Sequence, residues 1–361
     1  MAPDGGYGEG PYYAHYILGY LGPFSVHLAN TMDISLFAHP YLERMVNWVL
    51  DNEKGSGQYT QFDDSYEIRN FYLPLIVSQA NSGIYWDTWL DSQPEFPQYN
   101  ANMIEALAAY REFPVRKFRS PFFPGKFYAD MGQVILKDRQ IAPGFFVSLV
   151  DERERWFADV HEQIDPFSFE LSALAEDWII DGGYGGGTGD PNRDYFISPQ
   201  ANSTVLVDGY GTDPNPLVGD EPGGRLDYGF STPQFAAAGL SHVIGDVYLT
   251  RHLFYAGGNH VIVFDQMDGG TPHSYTVQYN YLGNFEDQGN GNVRIGKNGK
   301  QLNIHLLADD VADWRVRQNR GLATGRQGVF GHSVVQFESE TQPNANGYGK
   351  WGVAPDSGLQ K

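Results

Sequence analysis

The sequence predicts an α+β chain in which a helical segment is followed by an antiparallel β-sandwich, and three observations predict it. The first third carries apolar residues at helical spacing with no strand pattern between them. A Pro-rich, basic segment then interrupts an otherwise acidic chain. Beyond it, short stretches of alternating apolar and polar residues recur between Gly and Asn turns. A length of 361 residues with 41% hydrophobic content supports a large core and two domains.

DGGYGEGPYYAHY, residues 4–16, reads as a glycine-punctuated loop entering a helix that continues through Ile17, Leu18, Tyr20, Leu21 and Phe24. In ISLFAHPYLERMVNWVL, Leu36, Tyr41, Met45, Trp48 and Val49 fall near helical spacing, with Pro40 in the first turn or at a kink. GSGQYTQFDDSY is a loop ending in a cap-like Asp64-Ser65, and Tyr66 to Gln79 and Asn102 to Arg111 read as further helices. FPVRKFRSPFFPGKF, residues 113–127, places the boundary, giving a helical domain over 1–115 and a sandwich over 116–361.

QVILK, PGFFVSLV, FSFELSALA, TVLVDG, SHVIGDVYLTRHLFYA, HVIVFDQM, HSYTVQYNYL, QLNIHLLA and GHSVVQFES read as strands. In PFSFELSALAE, Phe167, Phe169, Leu171, Ala173 and Ala175 share one parity, which predicts a half-buried strand with WIID as its hairpin partner. That hairpin brings His161, Gln163 and Asp165 toward the Gly-rich loop after Asp181.

Composition excludes several classes. There are no cysteines, so disulfides, thiolate metal sites and a cysteine nucleophile are out. A formal charge of −20 argues against nucleic acid or anionic membrane as partner. No apolar run is long enough to span a bilayer, and MAPDGGYGEG does not read as a signal peptide. The chain starts directly in a motif, which leads us to expect sequence upstream of it. GGYGGGTG lacks the Gly-Lys-Ser/Thr ending of a phosphate loop, and neither a Gly-x-Ser-x-Gly elbow nor a His-Glu-x-x-His helix is present.

Two stretches could carry acid/base chemistry. His161 stands among Asp159, Glu162 and Asp165, where an imidazole titrating near neutrality can be oriented by a carboxylate, or can simply be a satisfied strand end. Tyr12, Tyr13 and Tyr16 follow Glu9, and a tyrosine, with a pKa of about 10, becomes a base only where cations depress that value. Packing is the alternative for these rings.

Taken together the motifs resemble the heparinase II/III-like polysaccharide lyases, in particular their alginate and oligoalginate lyase members. DGGYGEGPYYAHY is similar to the family's Asp-Gly-x-x-x-Glu-Gly-Pro-x-Tyr segment, and HEQIDPFSFEL…WIIDGGYG to its His-x-His-x-Asp-x-x-Ser-Phe strand and Asp-x-Gly turn. ANSTVLVDG resembles its Ala-His-Asn-Thr-Val segment, and RHLFYAGGNHVIVFDQMDGGTPHSY its Arg…Asp…His succession. The resemblance implies a partial α/α toroid packed on the sandwich, with a cleft between them, and cleavage of an acidic, uronate-containing polysaccharide or oligosaccharide by β-elimination. By motif position Tyr13 would be the acid, or both acid and base, with His161 the second proton-transfer group. Glu9, Tyr12, Tyr16, Arg251 and His273 would contact substrate.

An anionic intermediate must be stabilised by cationic or hydrogen-bonding groups. The family's Asn-His pair on an earlier helix has no counterpart before Asp4. The family's zinc positions stand here as Gln163, Asp181 and Asn202, a poor zinc set, so the expectation is no cofactor, with mutual hydrogen bonding favoured over weak calcium. Alginate is the first expected substrate, then heparin-like glycosaminoglycan or ulvan, and a non-catalytic carbohydrate-binding remnant is the alternative function. The family implies secretion or the periplasm, and the exposed helix faces of an incomplete toroid would favour either a homodimer or reduced stability.

Overall fold

The computed structural model describes residues 1–34, 36, 39–63, 65, 122–139, 143–151, 163, 167–185, 189–209, 224–308, 314–325, 328–339 and 347–356. The two expected helices at 66–79 and 102–111, the 115/116 boundary and His161 lie outside them. Two long helices open the chain, α1 (Gly10–Met32) and α2 (Pro40–Asp51). Pro40 does not kink α2 but starts it, where its missing N–H costs nothing, and the His39 ring caps it by accepting the Tyr41 N–H. Asp33 closes α1 in the left-handed conformation.

The strands follow in order: β1 (Gly125–Tyr128), β2 (Gln133–Lys137), β3 (Phe146–Val150), β4 (Ser168–Ala173), β5 (Glu176–Ile180), then a short helix α3 (Arg193–Phe196), a 3-10 turn (Pro199–Ala201) and β6 (Val205–Val207). β7 (Arg225–Thr232), β8 (Phe235–Ile244), β9 (Val247–Tyr255), β10 (Val261–Gly269) and β11 (Tyr275–Tyr281) come next. The chain continues through β12 (Asn284–Gly289), β13 (Asn292–Lys297), β14 (Lys300–Ala308), β15 (Trp314–Gly325), β16 (Gly328–Ser339) and β17 (Gly347–Asp356). They form two antiparallel sheets. One runs β1-β2-β3-β4-β5-β11-β16-β15 with β6 added to β11, and the other β12-β13-β14-β17-β10-β9-β8-β7.

The main core lies between the sheets, where Phe169, Leu171, Trp178, Tyr279, Leu253 and Val263 are buried. A second core joins the helices to the other face of the first sheet, with Leu18, Met45, Trp48 and Val49 against Met131, Ile135, Phe146 and Val150. Burial of each large side chain contributes about 1.5–3 kcal/mol. The first sheet is therefore covered on both faces at its β2–β4 end. Trp48 Nε1 donates to Gln133 Oε1 at 2.7 Å, and Gln133 donates on to Asn52 and Ser148, so the polar atoms of that interface are paired.

This covering changes the reading of β4. Its alternation predicts one wet face, yet all six residues are buried. The polar parity lies under the helical segment: Ser172 accepts the Gly55 N–H at 2.7 Å, and Glu170 meets Lys54 at 3.0 Å and the Gln61 N–H at 2.6 Å. The β4–β5 hairpin forms as expected, turning through Leu174 and Ala175, both at positive φ.

SHVIGDVYLTRHLFYA is two strands rather than one, folded at Gly245-Asp246 with Ile244 opposite Val247. Strands β1, β7, β12, β13, β15 and β17 carry too little alternation to be read from sequence. The described part of the chain is mostly sheet, and the only long helices among the described residues are α1 and α2, so the toroid itself is not seen here. None of these helices is long and apolar enough to cross a membrane.

Candidate active site

The two motif stretches, far apart in sequence, meet where the start of α1 crosses the loop after β5. Glu9 precedes α1, and the Tyr12 N–H donates to Ser65 Oγ at 3.2 Å. The Tyr184 N–H donates to the Ser65 carbonyl at 3.0 Å, so one serine ties both stretches. The Tyr13 ring, half-buried, stands 5.3 Å from Tyr12, 6.5 Å from Tyr16 and 6.4 Å from Tyr184. Tyr16 is exposed and its hydroxyl accepts from Tyr20 at 3.2 Å. Glycine is required where the chain turns into α1: Gly10 has φ 73, and a Cβ there would lie 2.3 Å from Ser65 Oγ. His15, one turn along, is held neutral, since burial pushes its pKa down to about 3.

Gln163 joins this meeting point. Its amide donates to the Asp63 carbonyl at 2.7 Å and the Gly183 carbonyl at 3.2 Å. Asp181 accepts the Gly183 N–H at 2.9 Å on one oxygen and the Ser168 hydroxyl at 2.6 Å on the other. Gln163 and Asp181 thus hold the Gly183 backbone from its carbonyl and its N–H. Asn202 donates to the Ser198 carbonyl at 3.5 Å. Burial, with the Glu170 charge adding to it, pushes the Asp181 pKa up to about 7, against the opposing Gly183 and Ser168 bonds.

A zinc ion does not fit these three residues. Two are amides, whose neutral oxygens are weak zinc ligands, and the one carboxylate is buried and already bonded on both oxygens, to the Gly183 N–H and the Ser168 hydroxyl. A hard cation would need about six or more oxygens.

Beneath the site runs a buried charge network. Lys54 Nζ lies 3.0 Å from Glu170 and 3.7 Å from Asp177, with every partner nearly inaccessible. Burial raises the Glu170 pKa, while Lys54 and the Gln61 N–H oppose the rise. Sequence reading did not single out Lys54, because a lysine in a Gly-Ser loop resembles ordinary surface charge.

Arg251 and His273 are placed elsewhere. Arg251 is fully buried between the sheets, bidentate to Asp265 at 2.6 and 2.8 Å, and its third contact is the Phe167 carbonyl at 3.1 Å. That corrects its expected contact with substrate: it clamps one sheet to the other. His273 lies before β11, at the end remote from Asp181. Ile180 pairs with Asn280, and roughly seven residues of extended chain, about 23 Å, separate that level from His273. Its ring nitrogens bond Asp208 at 2.6 Å and Asp246 at 2.8 Å, joining three loops at that end.

Those bonds, Asp208 first, raise the His273 pKa. A raised imidazole stabilises the fold fully below its unfolded value of about 6.5 and loses that contribution as pH rises through the folded value. Replacing His273 with Gln is expected to destabilise the chain at about pH 5.5 but hardly at about pH 9, by under about 1 kcal/mol because both carboxylates are half exposed. Urea melts at the two pH values check this; an equal loss at both would remove the charge argument.

The model of the heparinase II/III-like C-terminal domain matches residues 123–346. No curated protein matches. Among solved structures the chain is similar to a heparinase III gene product, at 12% identity and a TM-score of 0.76, covering 99% of this chain and 53% of that one. It is also similar to the heparan sulfate lyase HepC from Pedobacter heparinus, at 15% identity and a TM-score of 0.72, covering 100% and 54%. A further heparinase III aligns at 13% identity and 0.72, covering 99% and 55%. Such identities speak to the fold, and the chain spans about half the length of these solved chains. With more than half of its residues matched by the family's C-terminal domain, the chain belongs to the heparinase II/III-like family.

Proposed function

We propose that this chain is a polysaccharide lyase that cleaves a uronate-containing glycosaminoglycan of the heparan sulfate class by β-elimination. The observation that carries the reading is the junction of the two motif stretches, with Tyr13 6.4 Å from Tyr184 on the turn that Gln163 and Asp181 hold. Heparan sulfate replaces alginate as the first substrate because one of the similar solved proteins is named a heparan sulfate lyase and none of those cited is named an alginate lyase.

In this reading the proton on C5 of the uronate is removed, charge spreads into the adjacent carboxylate, and the C4–O bond breaks as the departing oxygen takes a proton. A phenol is protonated at neutral pH, so Tyr13 is suited to supply that proton. His161 takes the second proton-transfer role by motif position. Tyr12 and Tyr16, whose rings stand 5.3 and 6.5 Å from that of Tyr13, and Glu9 just before α1 would contact the sugar. Residues 1–115 would act as the helical half of the cleft and 116–361 as the sheet half.

Incubation with heparan sulfate should give rising ultraviolet absorbance from the unsaturated uronate, with none from alginate. Tyr13→Phe should lower the rate by at least about a hundredfold with the melting temperature unchanged. A Tyr13→Phe protein as active as the parent would end the assignment of Tyr13. The second reading, a carbohydrate-binding protein without turnover, is favoured by the amides at Gln163 and Asn202; binding of the chain without absorbance change would support it.

A further inference from the structure

The face of the first sheet that carries Ser168, Glu170 and Ser172 under the helical segment continues across the sheet. Register places Asn280 and Gln278 of β11, Val334, Gln336 and Glu338 of β16, and Asn319, Arg317 and Arg315 of β15 on that same face. The helical segment covers its β4 end, and the 3-10 turn covers β11, where Gln278 and Asn280 hold the Pro199, Ala201 and Asn202 carbonyls at 2.7–2.8 Å. Over β15, the edge strand, Arg315, Arg317 and Asn319 are exposed.

This open shelf is built. Asn319 donates to Gln336, Gln336 donates to Gln278 at 3.1 Å, and Gln278 reaches the Asn202 carbonyl, so a row of amides runs from the edge strand to the candidate site. Arg317 is oriented by Glu338 at 2.8 Å. Beside the row, His332 is buried, with one ring nitrogen 2.7 Å from Asn280 and the other without a partner among the described residues. Burial pushes its pKa down to about 4, so it stays neutral and keeps an acceptor there. A glycine, Gly321, is needed next to it, since a Cβ would lie 2.7 Å from both the His332 ring and the Tyr195 hydroxyl.

We propose that the outer face of β15 and β16, through Arg315, Arg317, Asn319 and Gln336, is a subsite for the acidic polysaccharide, holding carboxylate or sulfate groups on sugar units beyond the one that reacts. The inference rests on the polysaccharide reading above. Charge complementarity carries it: in a chain of net charge −20, Arg315 and Arg317 stand exposed on one face of one strand, in excess over the single Glu338 carboxylate that pairs with Arg317, and the amide row continuous with the site offers donors and acceptors to the intervening hydroxyls.

The test is calorimetric binding of a long heparan sulfate chain to the full protein, run alongside the absorbance assay. The double variant Arg315→Ala/Arg317→Ala is compared with Arg225→Ala/Arg294→Ala, which removes the same charge from the second sheet. The shelf variant should bind at least about fivefold more weakly and raise KM with kcat unchanged, while the control loses less than about twofold. Equal losses in both, no loss in the shelf variant, or a parent protein that does not bind heparan sulfate would overturn the subsite. Binding that depends on the shelf without any absorbance rise would remove the lyase reading and leave the subsite standing; turnover with KM unmoved by the shelf variant would do the reverse.

Discussion

Replacing Lys54 with Met is expected to destabilise the protein by about 3–5 kcal/mol, because it leaves Glu170 and Asp177 in a buried pocket without their cation. Lys54 is wholly inaccessible, 3.0 Å from Glu170, and its loop also supplies the Gly55 and Gln61 N–H groups that meet Ser172 and Glu170. The loss should therefore appear first as release of the helical segment from β4. Urea unfolding gives the magnitude, and limited proteolysis after residue 50 reports the release. Adding Glu170→Gln should recover part of the loss, since the amide oxygen still accepts the Gln61 N–H without burying a charge. A single variant that loses under about 1 kcal/mol would mean that water reaches the pair, as at an exposed salt bridge.

Arg251→Met is expected to cost a similar amount, about 3–5 kcal/mol, by stranding Asp265 between the sheets. Arg251 and Asp265 are direct cross-strand partners on β9 and β10, and the guanidinium also crosses to the Phe167 carbonyl of the opposite sheet. Phe167 sits at φ 58, a conformation that a non-glycine residue adopts only when its surroundings hold it there. Losing the clamp should therefore loosen the entry to β4 as well as the core. Hydrogen exchange at the Phe169 amide, which donates to the Ser203 carbonyl at 2.9 Å, distinguishes this from uniform destabilisation. Exchange there that follows the global loss and nothing more would reduce Arg251 to a generic core ion pair. The companion change Asp265→Leu should restore much of the stability, because an apolar pair of similar volume carries no desolvation penalty.

Sequence alone was enough for the order of helices and sheet, for α1 and α2, for most of the apolar strands, and for the motif stretches that place the chain in its family. These features are local: a helical or two-residue period, a proline at the first turn, a glycine before a helix. Strand β15 was not legible, because the parity that begins with Trp314 and Val316 turns to Gln318 and Arg320, so its alternation stops after two apolar positions. The second burial of β4 was not legible either, since Ser168, Glu170 and Ser172 look like a wet face until the Lys54 loop is laid on them.

What only the tertiary structure decided is which charged residues are buried or paired to hold the fold. Arg251 and His273 carry the residue types of a polyanion site, yet the sheet pairing puts the first between two layers and the second at the far end of β11. Tyr13, by contrast, is brought beside Tyr184 by a single serine that bonds both stretches. A side chain's chemistry is a property of its residue; its use depends on burial and on partners contributed from distant parts of the chain, and those are set by packing.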